Sequence, residues 1–265
     1  MRHPYPVLVP IILSFFVSFF NCTHAEPPSG QTNAAPQAAP QGVPQDIQKA
    51  LQLPEGDGRT QALTSAGAAW EHQDPHAAME WAFTLQNDKT GFNVVKTMAN
   101  DWGSREPVPA TTEWVMSHSP KDGQLTFFAL HLISTAWARV DPSAANAWAE
   151  KQPETNGLRR IAYYSVADGW AQKDPPSAAA WAEKIPGEVD RHVALPVVAG
   201  LWATKSGHPE IAAAWAEKLP VGDMKYVVPR IAGTWAKTDA TKAKAWVNGL
   251  PLADADKAEI LGKIK

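Results

Sequence analysis

The sequence predicts an all-α protein, a right-handed α-solenoid of about six helical hairpins with a half-unit cap at each end. Three observations carry that prediction. Twelve tryptophans form six pairs, at 70 and 81, 102 and 114, 137 and 148, 170 and 181, 202 and 215, and 235 and 246. The first members are separated by 32, 35, 33, 32 and 33 residues, the period of a two-helix repeat. Aspartate and proline recur between the members of a pair, and proline recurs after the second, so each unit is punctuated at its turn and at its end.

Taken in order, residues 1–25 are expected to be an export signal. Arg2 and His3 give a positive start, Val7 to Phe20 is an unbroken apolar run, and Thr23-His24-Ala25 offers a small-x-small cleavage site. That run has 14 residues, short of the roughly 20 that span a bilayer core. Cys22, the single cysteine, follows the run directly, so lipidation there would anchor the chain. Soluble export and a lipid anchor both stay open. Either way no disulfide forms within one chain, and packing must hold the fold. Residues 26–45 are rich in Pro, Gln, Ala and Gly and are expected to form a disordered tether, because they cannot bury enough surface to offset their ordering entropy. The helical domain is expected over 46–265, opening with a half-unit that closes at Pro54.

Within each unit the first helix shows a stripe when counted back from its tryptophan. Seven before stand Leu63, Val95, Leu130, Tyr163, Leu195 and Val228, and four before stand Ala66, Met98, Ile133, Val166, Val198 and Ile231. Three before is always small: Gly67, Ala99, Ser134, Ala167, Ala199 and Ala232. These spacings define one helical face, and the small residue admits a close neighbour. Four after the tryptophan, Asp74, Glu106, Asp141, Asp174 or Asp239 is placed to cap the second helix, and a following proline at the first helical position sacrifices no hydrogen bond. The fifth unit inserts two residues in Ser206-Gly207-His208-Pro209, which predicts a widened turn with His208 at the cap. Pro153, Pro186, Pro220 and Pro251 close the second helices. Pro196 and Pro229 predict a kink or late start in their first helices. Leu252 to Lys265 is expected to be a polar C-terminal cap.

The tryptophans admit two readings. As a structural ladder, Trp70, Trp81, Trp102, Trp137, Trp148, Trp170, Trp181, Trp202, Trp215, Trp235 and Trp246 pack against alanines, each with an upper bound of about 4–6 kcal/mol from buried area. As exposed platforms, some would stack on sugars or anchor a partner. Trp114, in the most diverged unit, and His208, in the inserted turn, are the binding candidates. Glu150-Lys151, Glu183-Lys184 and Glu217-Lys218 recur at one position and are read as a solvated face.

No enzyme is predicted. His72 and His76 flank the helix-breaking Asp74-Pro75, and His118, His131, His192 and His208 fall in different units without ligand spacing. Asp168 has no second acid at a defined distance, and neither a nucleophile elbow nor a phosphate-binding glycine loop is present in the sequence. No cofactor or metal is expected. A formal charge of -3, with no run of Lys or Arg, argues against nucleic acid.

The phrase W-A-x-x-D-P-x-x-A-x-x-W-A-x-x-[LI]-P, at 137–153 (with Gln152 in the penultimate place) and 170–186, resembles arrays in secreted bacterial two-helix repeat proteins. More broadly the period is similar to tetratricopeptide and HEAT superhelices. The Trp comes late in the first helix and the tetratricopeptide Leu-Gly step is missing, so no groove residues carry over. What the resemblance implies is a concave surface for protein interaction. The expected function is therefore an exported, non-enzymatic scaffold in a bacterial envelope with a protein partner. The alternative is a glycan or peptidoglycan binder using exposed Trp.

Overall fold

The computed structural model describes residues 42–85, 88–105, 109–118, 124–154 and 157–264. The expected export signal, Cys22 and most of the expected tether lie outside them, as does Glu106. Thirteen helices occur among the described residues, and no strand. The first, α1 (Gln45–Leu51), starts inside the expected tether, and Val43 is already buried against the core. Five pairs of a long and a short helix follow: α2 (Asp57–Glu71) with α3 (Pro75–Phe83), α4 (Lys89–Arg105) with α5 (Pro109–Ser117), α6 (Gln124–Val140) with α7 (Pro142–Glu150), α8 (Leu158–Lys173) with α9 (Pro175–Ala182), and α10 (Glu188–Lys205) with α11 (Pro209–Ala216). The run α12 (Val221–Gly249) is a sixth pair, broken at Asp239, whose φ of -153° and ψ of 87° leave the helix. The chain ends on α13 (Asp254–Gly262).

Neighbouring helices pack in a row. Each long helix packs on the next, from α2 through α4, α6, α8 and α10 to α12. The short helices α3, α7, α9 and α11 each pack on the long helix before and the long helix after. The stripe explains this arrangement. Every residue seven before a first Trp is buried, as is every small residue three before, and only Ala66 among those four before is not fully covered. The core divides into two stretches that meet at Trp170 and Trp181, which pack against both.

The turns follow their local chemistry. Asp74, Asp141, Asp174 and Asp239 each accept a hydrogen bond from the amide three residues on, at 3.0, 3.0, 3.2 and 2.9 Å. His208 takes the same backbone position without capping. Ser206 Oγ instead accepts from the His208 amide at 3.0 Å, Gly207 is left-handed, and the imidazole turns outward to Glu210 at 3.1 Å. Pro196 and Pro229 do not delay their helices, which begin at Glu188 and Val221. Buried Leu195 and Val198, and Val228 and Ile231, hold the chain helical across each proline, offsetting a local cost of about 3 kcal/mol.

Two glycines set how tightly the middle of the row closes. A Cβ at Gly103 would lie 2.7 Å from the Ile133 carbonyl oxygen, and one at Gly169 would lie 2.2 Å from that of Thr135. Both contacts fall on α6, so α4 and α8 approach it from either side with backbone against backbone. As a consequence α6 is covered from Ile133 to Ala138.

Candidate functional site

The tight packing of α6 leaves an open polar cleft beside it. This cleft, about 540 Å³, is lined by Ala68 of α2 and His72 just after it, by Lys96, Thr97, Asn100, Asp101 and Ser104 of α4, and by Arg139 of α6. Lys96, Asn100 and Ser104 are four residues apart, so they form one line down α4. Asn100 and Ser104 are pinned by donating to the carbonyls of Lys96 and Asn100, at 2.8 and 2.7 Å.

The charges of the cleft do not balance. Asp101 is matched by Arg105, with Nε to Oδ2 at 3.0 Å, and by His72, with Nε2 to Oδ2 at 3.0 Å. Arg105 also pairs with the buried Glu71. Glu71, His72 and Asp101 present donor atoms within 4.8 Å of one another, a set with metal-ligand chemistry. Arg105 stands between the two carboxylates and pairs with both. Lys96 and Arg139, in contrast, have no acidic partner among the described residues. Arg139 instead spans three helices through neutral contacts, to Ser104 Oγ at 3.3 Å and Gln172 Oε1 at 3.4 Å.

From Arg139 a polar chain runs inward. Gln172 donates to Asp168 at 2.9 Å, and Asp168 Oδ2 lies 3.7 Å from Nε2 of His131. Nδ1 of His131 is 3.0 Å from Ser165 Oγ and 3.3 Å from Thr135 Oγ1. Burial lowers the His131 pKa below its ordinary value, with Asp168 opposing that shift. The neighbouring Tyr164, edge-on to His131 at 5.2 Å, is pushed up to about 12, by burial first and Asp168 second. Serine, histidine and aspartate thus meet, but Ser165 is fully covered and donates to the Ile161 carbonyl at 2.8 Å. The cluster holds a neutral imidazole between α6 and α8. In the sequence His131 has no ligand spacing and Asp168 no second acid; the structure sets the two side chains next to each other. They stand six and two residues before their own tryptophans, and only alignment of the units exposes the match.

All twelve tryptophans lie among the described residues, and none is exposed. Trp81, Trp102, Trp137 and Trp148 are buried, and the other eight are half-buried. The two rings of every unit meet, with centroids 5.4 to 6.0 Å apart. Trp114 is stacked with two histidines, His76 and His118, both at 4.5 Å. His208 stands alone on the surface with Glu210.

The recurrent glutamates are not merely solvated. Glu183 and Glu217 accept from the indole N–H of the next unit, Trp215 at 2.7 Å and Trp246 at 2.9 Å. Trp181 donates to Asn146, which in turn donates to Glu150, at 3.0 and 2.9 Å. At the start of the long helices a second set of links recurs, Arg159 to Asp190 at 2.7 Å and Arg191 to Asp223 at 3.2 Å. Asp190 holds the Arg159 guanidinium above its ordinary pKa.

Comparison with protein-family models, with curated proteins and with solved structures finds no match to this chain. No described helix is long and apolar enough to cross a membrane.

Proposed function

We propose that this chain is an exported, non-enzymatic helical-repeat scaffold of the bacterial envelope that binds a protein partner. In this reading the row of helices is a right-handed α-solenoid of six hairpins with a half-unit at each end, and the long helices present the binding face. One observation carries the proposal: every indole is packed inside a unit or between units, while the open face of α4 and α6 is polar and unbalanced in charge. Repeat arrays of this kind bind through surfaces laid across several units. The glycan alternative needs ring faces open to solvent. Trp114, its best candidate, is half-buried and already stacked with His76 and His118.

Two measurements test the proposal. Tryptophan emission should be blue-shifted, weakly quenched by acrylamide and unchanged by soluble peptidoglycan fragments. A photoreactive residue in place of Lys96 should crosslink, in cells, to a protein that also binds when both components are purified. Strong quenching relieved by the glycan would replace the scaffold reading with the glycan one.

A further inference from the structure

We infer that the cleft between α2, α4 and α6 binds an extended acidic peptide segment, with Lys96 and Arg139 as its two charge-reading residues. The inference rests on the scaffold reading and names the chemistry of the partner.

The electrostatics point to an anion. Arg105 pairs with both Asp101 and Glu71, and His72 also meets Asp101, while Lys96 and Arg139 line the cleft with no acidic partner among the described residues. Arg139 lies stretched across α4, α6 and α8 on long contacts of 3.3 and 3.4 Å to neutral oxygens. A carboxylate offers shorter, charge-assisted bonds to the same guanidinium, and its planar fork can take both oxygens. Because Ser104 and Gln172 already hold the side chain in place, little of its freedom remains to be lost on binding.

The geometry points to an extended segment. Lys96 and Ser104, which touches Arg139, are eight residues apart on one helix, a rise of about 12 Å. In extended chain that distance covers about four residues. Thr97 and Asn100 line the cleft between them and supply neutral polar contacts. The fitting ligand therefore carries acidic side chains about four positions apart with small polar residues between.

The test is fluorescence anisotropy on the purified full chain. The probe is a fluorescein-labelled peptide with glutamates four positions apart in a Gly-Ser background, set against the same peptide with lysines or serines. The glutamate peptide should bind, its affinity should fall with added salt, and Lys96→Ala and Arg139→Gln should each weaken it about tenfold with helical content unchanged. Equal binding of the glutamate and serine peptides overturns the inference, as does binding that neither substitution alters. Displacement by inorganic phosphate at the peptide's own dissociation constant overturns it too, since the site would then read a small anion and not a segment. If the chain crosslinks a partner through position 96 yet ignores the glutamate peptide, the inference fails and the scaffold reading stands. Loss of both sinks the scaffold reading as well.

Discussion

Trp215 of α11 donates its indole N–H to Glu183, just beyond α9, at 2.7 Å, and so ties one repeat to the one before it. The same bond recurs between Trp246 and Glu217, and Asn146 mediates its equivalent at Trp181. In the diverged second unit Met116 stands two residues after Trp114, where a glutamate would be needed. Trp148 Nε1 is accordingly buried with no hydrogen-bond partner among the described residues. In the last three units the tryptophan of the second helix thus acts through its ring within the unit and through its nitrogen between units.

That link should be measurable as a coupling. Trp215→Phe and Glu183→Ala, made singly and together, should give a double-mutant interaction of about 0.5–1.5 kcal/mol in urea unfolding, at the low end because the bond itself lies at the surface. Additive effects would mean that the bond contributes nothing net in water.

Gly169→Ala should destabilise the chain by about 1–3 kcal/mol or more, because the added methyl meets the Thr135 carbonyl and α8 must move off α6. Gly200→Ala is the matched control. Its Cβ would find only Arg230 Cβ, at 3.8 Å, so the usual helical preference for Ala should make it neutral or slightly stabilising. Thermal melts of the two variants should move in opposite directions, or at least differ by several degrees. Equal shifts would remove the close α6–α8 contact from the account of the fold.

Burial grades the tryptophans. Trp137→Ala, at a ring 1% exposed, should cost about 3–5 kcal/mol. Trp246→Ala, at a half-buried ring near the end of the row, should cost less, and far-UV circular dichroism should show most of the helix retained. A larger loss at Trp246 than at Trp137 would contradict the order.

The parts of the structure legible in the sequence are those set within one unit. A helical face repeats every three to four residues, so Leu63, Ala66, Gly67 and Trp70 declare their stripe without knowledge of any neighbour. Asp74-Pro75 declares its turn in the same way. Contacts between units were harder to read, because their partners lie 29 to 35 residues apart and gain meaning only once the units are in register. Arg159 and Arg191 both stand eleven before a tryptophan, and Asp190 and Asp223 both stand twelve before the next. Neither charge is unusual alone. Gly103 and Gly169 were silent for another reason: a missing side chain leaves no periodic mark, and what demands the glycine is backbone contributed by α6. The cleft depends on that same closeness, so Lys96 and Arg139 could not be paired from their spacing.

The buried cluster at His131 makes stability depend on pH in a definite direction. Burial lowers the folded-state pKa of His131 beneath the ordinary value of 6.5, and Asp168, which faces it from α8, only partly opposes this. Above 6.5 the imidazole is neutral whether the chain is folded or not, and the cluster contributes fully. As pH falls below 6.5 the unfolded chain takes up a proton that the folded chain refuses. Stability is therefore lost progressively until the folded pKa is reached. Other groups also titrate in this range, so the informative quantity is a difference between proteins. His131→Asn keeps a neutral polar side chain next to Ser165 and Thr135 but cannot titrate. It should lower stability at pH 7.5, and it should lose less than the wild-type chain when urea midpoints are compared at pH 7.5 and 5.5. If Asp168 outweighed burial, the wild-type chain would instead gain on the variant as pH falls, and His131 would have to be redrawn as a buried cation.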